Sequence, residues 1–358
     1  MKKILARLLQ ARHPNIIGLD IGTENIKLAE VSTAGREPLL VKAAIVKIPP
    51  GSVKDNRLID EKSVASQLRQ ALAMSAASAL NAVIGISGPG VFLREFAFPA
   101  MTEHELKEAV FWEIKRYTSY DQGSFYYDYA VITKAPTETK TKVMVAAAPK
   151  DIIDPLMSLV KPLKIKPIAI EIEAMAIGRT LEQTDKAVII DLGGSMSQAT
   201  VYWQGHLNVS RSIPIGGQDF TKIIMSHLNL SFDEAEKVKK NSVHLLHHPD
   251  SIQESSPLHC KLEALVKELA KQVRQTVEFF RVQNRHGTIE KVFLIGGGAN
   301  LHNLSPQLSF HLGLPVALVQ KPLNLKIADS FQSSFDAKLF PQLATAIGLA
   351  FRTRAVGA

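Results

Sequence analysis

Two short segments of this chain carry the same residue types at the same spacing, and both suit phosphate and metal chemistry. In Ile17-Gly18-Leu19-Asp20-Ile21-Gly22-Thr23 an apolar run leads to Asp, an apolar residue, Gly and a small residue. Ile189-Ile190-Asp191-Leu192-Gly193-Gly194-Ser195 repeats the pattern 171 residues further on. Each continues into a second strand-like run, at 26–31 and 198–202, and then reaches a turn with glycine, Gly35 or Gly205. Strand, tight turn and strand is the signature of a β-hairpin. Small residues at the two tips, Gly22, Thr23, Gly193 and Gly194, leave backbone N–H groups able to cradle an anion. Asp20 and Asp191, just before the tips, are of the type that holds a divalent cation, often through water. Either Asp alone is equally a turn-capping residue. The matched pair favours two related halves gripping one phosphate chain with Mg²⁺ between them.

A third segment completes the set. Lys291-Val292-Phe293-Leu294-Ile295 reads as a buried strand and is followed by Gly296, Gly297 and Gly298. Three glycines let a backbone approach a flat ligand closely. In order and spacing the three segments resemble the two phosphate segments and the adenosine segment of the actin-like ATPase superfamily. That resemblance implies ATP with Mg²⁺ as the ligand. Glu236 and Lys239 stand three apart on one helix, a spacing that also suits a plain solvated ion pair. In actin-like ATPases a Glu-x-x-Lys at this place binds ribose and covers adenine. Glu173 falls where some superfamily members have a connecting helix with an acidic or amide group that orients attacking water. In-line phosphoryl transfer depends on such positioning, although a Glu at a helix start also complements the helix dipole.

The chain as a whole bounds these readings. Its 358 residues predict two or more domains with real cores. The 46% hydrophobic and 21% charged content is an ordinary globular balance. A single cysteine, Cys260, excludes an internal disulfide and fits a reducing compartment. No run approaches the ~18 apolar residues of a membrane span, and Arg7 interrupts the apolar stretch that a signal peptide would need. The expectation is a cytoplasmic protein. Net charge is +8, yet no dense basic block with interleaved aromatics appears, so nucleic acid is not expected. The basic, weakly amphipathic residues 1–13 read equally as a membrane-surface contact or a frayed tail. Gly85-Ile86-Ser87-Gly88-Pro89 lacks the final Gly of a nucleophile elbow. His244, His247, His248, His259 and Cys260 lack regular ligand spacing, and no P-loop occurs.

Periodicity supplies the elements that position these residues. Residues 14–50 read as a β-meander, 58–80 as an Ala-rich helix, and 82–87 and 91–98 as strands. Thr102 and Glu105 form a capping-box pattern opening a helix with Leu106, Val110, Ile114 and Tyr117 on one face. Two strands, 125–133 and 142–147, and a helix at 151–160 follow. This α+β unit, 99–166, reads as an insertion into the first half. Residues 171–181 read as helix. Ser231 and Glu234 open another capped helix through 239, and a long amphipathic helix spans 259–285. A helix rich in Ala and Gly, 341–352, closes the chain.

Three stretches are similar to the PilM family of type IV pilus assembly proteins. The first is Gly18 to Thr23 with Lys27 and Glu30. The second is Val91-Phe92-Leu93-Arg94-Glu95 to Pro99, then Trp112-Glu113 and Tyr127-Asp128-Tyr129. The third is Ser210-Arg211-Ser212-Ile213-Pro214-Ile215-Gly216-Gly217, with Ala235-Glu236 and Ala344 to Ala350. The resemblance implies an α/β, actin-like (ribonuclease H-like) fold of two duplicated halves around a nucleotide cleft. It adds Lys27 to the nucleotide-binding set. It divides the chain into subdomain 1A (14–98, 167–186, 341–358), an inserted 1C of the kind shared with the cell-division protein FtsA (99–166), 2A (187–225, 287–340) and 2B (226–286). It implies a cytoplasmic scaffold peripheral to the inner membrane that binds the N-terminal peptide of PilN. Other pilus inner-membrane and motor components are further partners, with self-association possible. Glu24 and Asn25 stand where smaller residues are frequent in this family, and Ser195-Met196 stands where FtsA has Gly-Thr, so ATP turnover is expected to be slow or negligible. A small-molecule kinase of the same superfold and a division filament are the alternatives.

Overall fold

Two β-meanders of near-identical plan form the centres of the two halves. The computed structural model describes residues 15–352 except 36, 134–139, 182–184, 244, 246–255, 286, 321–324 and 333–334. In the first half, β1 (Ile16–Ile21), β2 (Asn25–Ser32) and β3 (Leu39–Lys47) run antiparallel. After a two-residue ribbon, β4 (Val53–Lys54) and β5 (Arg57–Leu58), comes helix α1 (Glu61–Ser75). Its N-cap Asp60 accepts the Ser63 amide at 3.1 Å, which satisfies an otherwise unpaired first-turn donor. Strand β6 (Asn81–Ile86) then lies parallel to β1. Every residue of β1 is buried, which is why its sequence is apolar up to Asp20 and does not alternate.

The inserted unit follows. Strands β7 (Phe92–Pro99), β8 (Phe125–Thr133) and β9 (Lys140–Pro149) form a three-stranded sheet in the order β7-β9-β8. Helix α2 (Glu103–Tyr117) covers one face, and Leu106, Val110 and Ile114 pack with Phe98, Phe125 and Val145. Both halves of its capping box are made, between Thr102 and Glu105. Helix α3 (Lys150–Val160) returns the chain to β10 (Lys166–Ile172), which pairs parallel with β6.

Three features here differ from the sequence reading. The helix expected over 171–181 is shorter: Glu171 and Ile172 end a strand, β10, whose alternating Ile168, Ile170 and Ile172 suit an edge beside β6, and the α-helix spans only Glu173–Ile177 (α4), followed by a 3-10 turn at Gly178–Thr180. The small sheet begins at Phe92, ahead of 99, because β7 pairs along its whole length with β9. Helix α3 buries Ile152, Leu156, Leu159 and Val160 in the core of the first half and not in that of the small sheet.

In the second half, β11 (Lys186–Leu192), β12 (Ser197–Trp203) and β13 (His206–Ile213) repeat the meander. Helices α5 (Gly217–Leu228), α6 (Phe232–Asn241) and α7 (Pro257–Gln283) follow. Strand β14 (Lys291–Ile295) pairs parallel with β11. Helix α8 (Leu304–Leu312) and β15 (Val316–Leu318) complete the sheet. The two sheets correspond strand for strand, β3-β2-β1-β6-β10 against β13-β12-β11-β14-β15. The chain then re-enters the first sheet at β16 (Lys326–Ile327), beside β3 and ahead of residue 341. It ends through α9 (Asp329–Gln332) and α10 (Phe340–Ala350). In α10 every residue except Gln342 is buried, because the helix lies against β1 and β2 and also meets α4 and β14.

Candidate functional site

The hairpin tips define the base of a cleft between the halves. Four-residue turns 22–25 and 193–196 are closed alike: Gly22 N–H donates to the Asn25 carbonyl at 3.0 Å and Gly193 N–H to the Met196 carbonyl at 3.1 Å. The register places Asp20 opposite Lys27 and Asp191 opposite Gln198. Lys27 and Gln198 are therefore counterparts, one in each half. A cavity of about 880 Å³ opens above them, within the range of cofactor pockets.

Lys27 holds the centre. Its ammonium donates to Asp20 Oδ2 at 2.8 Å. Burial opposes its charge, but Asp20, Asp191 and Glu173 outweigh burial and hold it protonated above the ordinary lysine range. Burial and the Asp20 charge push the Glu173 carboxyl up to about 8, with a Ser87 hydrogen bond and Lys27 opposing. Asp191 is also raised, chiefly by burial, and accepts a hydrogen bond from Thr345 Oγ1 at 3.2 Å. With Glu173 largely protonated at neutral pH, two aspartates face one lysine, which leaves room for a second positive charge. Among the described residues no three His, Cys, Asp or Glu side chains are grouped to hold a metal directly. A cation there would be held by the two aspartates with water in the remaining positions.

A further part of the cavity lining comes from the second half. Helix α6 carries Glu236 and Lys239, which are ion-paired. Lys239 also donates to the Gly217 carbonyl at 2.9 Å and to Thr221 Oγ1 at 2.7 Å. Burial lowers Lys239, and the Glu236 bond opposes it. Burial raises the Glu236 carboxyl, but bonds from Lys239 and Thr221 prevail and hold it below its usual value. After β14 the chain turns at Gly296, whose φ of +92° suits glycine alone. A Cβ there would sit 2.5 Å from the Leu192 carbonyl oxygen and crowd Asp191.

Asp20, Gly22, Thr23, Lys27, Glu173, Asp191, Gly193, Gly194, Glu236, Lys239, Gly297 and Gly298 all line this one cavity. Gly296 lies behind its wall and sets the path of the two glycines that do. Sequence reasoning missed four further residues. Gln218 donates to the Glu24 carboxylate across the cleft, and nothing in the sequence marked it. Gln198 was findable, since it stands 171 residues after Lys27. Thr345 and Ser87 become visible only when the strands are assembled. Of the histidine set, His244, His247 and His248 lie outside the described residues.

Comparison with known proteins bears on the fold and the family. A structure titled PilM-PilN type IV pilus biogenesis complex matches at TM-score 0.80 and 25% identity, over 94% of this chain and 98% of that one. The ethanolamine utilization protein EutJ of Carboxydothermus hydrogenoformans matches at TM-score 0.57 and 17% identity, over 94% and 89%. MreB5 of Spiroplasma citri, solved bound to ADP, matches at TM-score 0.52 and 16% identity, over 93% and 95%. Among curated proteins, FtsA of Bacillus subtilis is 25% identical over 256 residues, 64% of this chain and 58% of that protein. The chain therefore spans little more than half the length of that relative. No helix among the described residues is long and apolar enough to cross a membrane. The fold is that of the actin-like ATPases. A family model described as type IV pilus assembly protein PilM covers residues 18–354, and the chain belongs to that family.

Proposed function

We propose that this chain is a nucleotide-binding cytoplasmic scaffold of a type IV pilus assembly complex, peripheral to the inner membrane, and that it binds the N-terminal cytoplasmic peptide of PilN. The observation that carries the nucleotide part is the pair of matched hairpin turns facing one cavity, with Asp20 and Asp191 at their bases. The residues fit Mg-ATP: two aspartates for a hydrated cation, two glycine turns for phosphates, and Glu236 and Lys239 with Gly297 and Gly298 for the nucleoside. Mg²⁺ supplies charge neutralisation for the phosphates. Lys27 holds Asp20 in place and adds fixed positive charge at the base of the cleft. Glu173 is placed to orient water. Its raised pKa makes it a poor carboxylate base at neutral pH, in keeping with slow turnover.

Membership of the PilM family supports the pilus assignment, and the neighbour solved with PilN supports the peptide. A second cavity of about 290 Å³ lies where the small sheet meets the body, lined by Val91, Phe92, Leu93, Ile172, Ser210 and Ser212 among others. Its lining mixes apolar and polar side chains, which suits a peptide segment. Calorimetric titration with the cytoplasmic tail of the same organism's PilN, with and without Mg-ATP, tests the proposal. Micromolar or tighter binding that is lost on scrambling the peptide is expected. No binding in either state, with the nucleotide site shown to be filled, would sink it.

A further inference from the structure

Glu24 is the residue that fits the phosphate turn least well, and its contacts give it another task. It sits at the tip of the first hairpin, in the turn that Gly22 and Asn25 close. Its carboxylate accepts a hydrogen bond from Gln218 Nε2, which belongs to α5 in the other half. Gln218 is itself fixed, because its backbone N–H donates to the Gly194 carbonyl at 2.8 Å. The two tips also touch directly: a Cβ on Gly194 would lie 2.7 Å from Glu24 Cγ and 2.8 Å from Thr23 Oγ1. Beside this contact, Lys47 at the end of β3 pairs with Asp233 at the start of α6 at 2.8 Å. The Glu24 carbonyl accepts the Ile48 N–H at 2.8 Å, so the two bridges share one stretch of backbone.

We infer that Glu24 and Gln218 form a clasp across the phosphate end of the cleft, which holds the two halves together and slows nucleotide exchange. The inference rests on the nucleotide reading of the cleft. The strengths of the two bridges differ. Lys47 and Asp233 are 57% and 74% exposed, and exposed ion pairs contribute little. Glu24 and Gln218 are partly buried, and a hydrogen bond to a charged acceptor out of water is worth more. The clasp strength is therefore assigned to Glu24 and Gln218, with Lys47 as a lesser support. It also accounts for a carboxylate beside phosphates: Gln218 turns the charge sideways into the other half.

The test combines release kinetics with a distance measured on the empty protein. Fluorescent N-methylanthraniloyl-ATP is chased from wild type, Glu24→Ala, Gln218→Ala and the double variant in stopped flow. Each single variant is expected to speed release about tenfold, the scale of one hydrogen bond to a charged group. The double variant should add little more, since both changes remove the same bond. Lys47→Ala should move the rate by no more than about threefold. In nucleotide-free protein, spin labels at Lys54→Cys and Lys237→Cys, in a Cys260→Ser background, report the gap between the halves. That distance distribution should lengthen and broaden in Glu24→Ala. Unchanged release and unchanged distances, with nucleotide still bound, overturn the clasp alone. Failure of wild type to bind the analogue overturns the nucleotide reading, and the clasp with it.

Discussion

Lys27 and its three carboxyl neighbours show how far single residues set the chemistry. Burial is the main cause that raises Glu173 to about 8, from an ordinary value of 4.5. In that interval the folded protein holds a proton that the unfolded chain has released. Stability therefore falls as pH rises from about 4.5 to about 8 and levels off above. Glu173→Gln removes this titration, so its melting temperature should decline less steeply across that range. Equal slopes for the two proteins would refute the assignment. Residues read one at a time from the sequence were legible where type and spacing repeat: Asp20 against Asp191, Gly22 against Gly193. Glu24 was legible only as an oddity, since its partner Gln218 is remote in the chain and belongs to no motif.

At the scale of elements, β1 and α10 pack backbone to backbone at Gly18. A Cβ on Gly18 would lie 2.8 Å from the Ala350 backbone nitrogen and would run into the Ala346 carbonyl. Neither neighbour is the flexible end of a side chain, so nothing yields cheaply. Gly18→Ala should cost about 1–3 kcal/mol or more, read as a lower urea midpoint at unchanged slope. A midpoint equal to wild type would show that the helix can move aside. The meanders and long helices were legible because periodicity reports burial directly. The end of strand β10 was not, because Glu171 runs straight into the helix-forming Glu173-Ala174-Met175-Ala176, while pairing of 166–172 with β6 holds Glu171 and Ile172 in the strand. The extent of the small sheet was likewise hidden, as β7 pairs with β9 only after a helix and a further strand, α2 and β8, have intervened.

For the molecule as a whole, ligand and fold are linked through the cleft. Mg-ATP at a hundred times its Kd should raise stability by about 2.7 kcal/mol. Asp191→Asn should remove most of that increment, and a thermal shift that survives the substitution would remove Asp191 from the site. The same joining of distant parts governs how the protein comes into being. β16 and α10, which close the first half, are encoded after the entire second half. During synthesis, β1 and β2 emerge early and wait with an apolar face uncovered until α10 leaves the ribosome. Contacts so distant along the chain make for slow folding. A chain stopped short of residue 340 would carry a complete second half and a first half whose β1 and β2 lack their covering helix, so such a fragment should expose apolar surface and behave as a chaperone client.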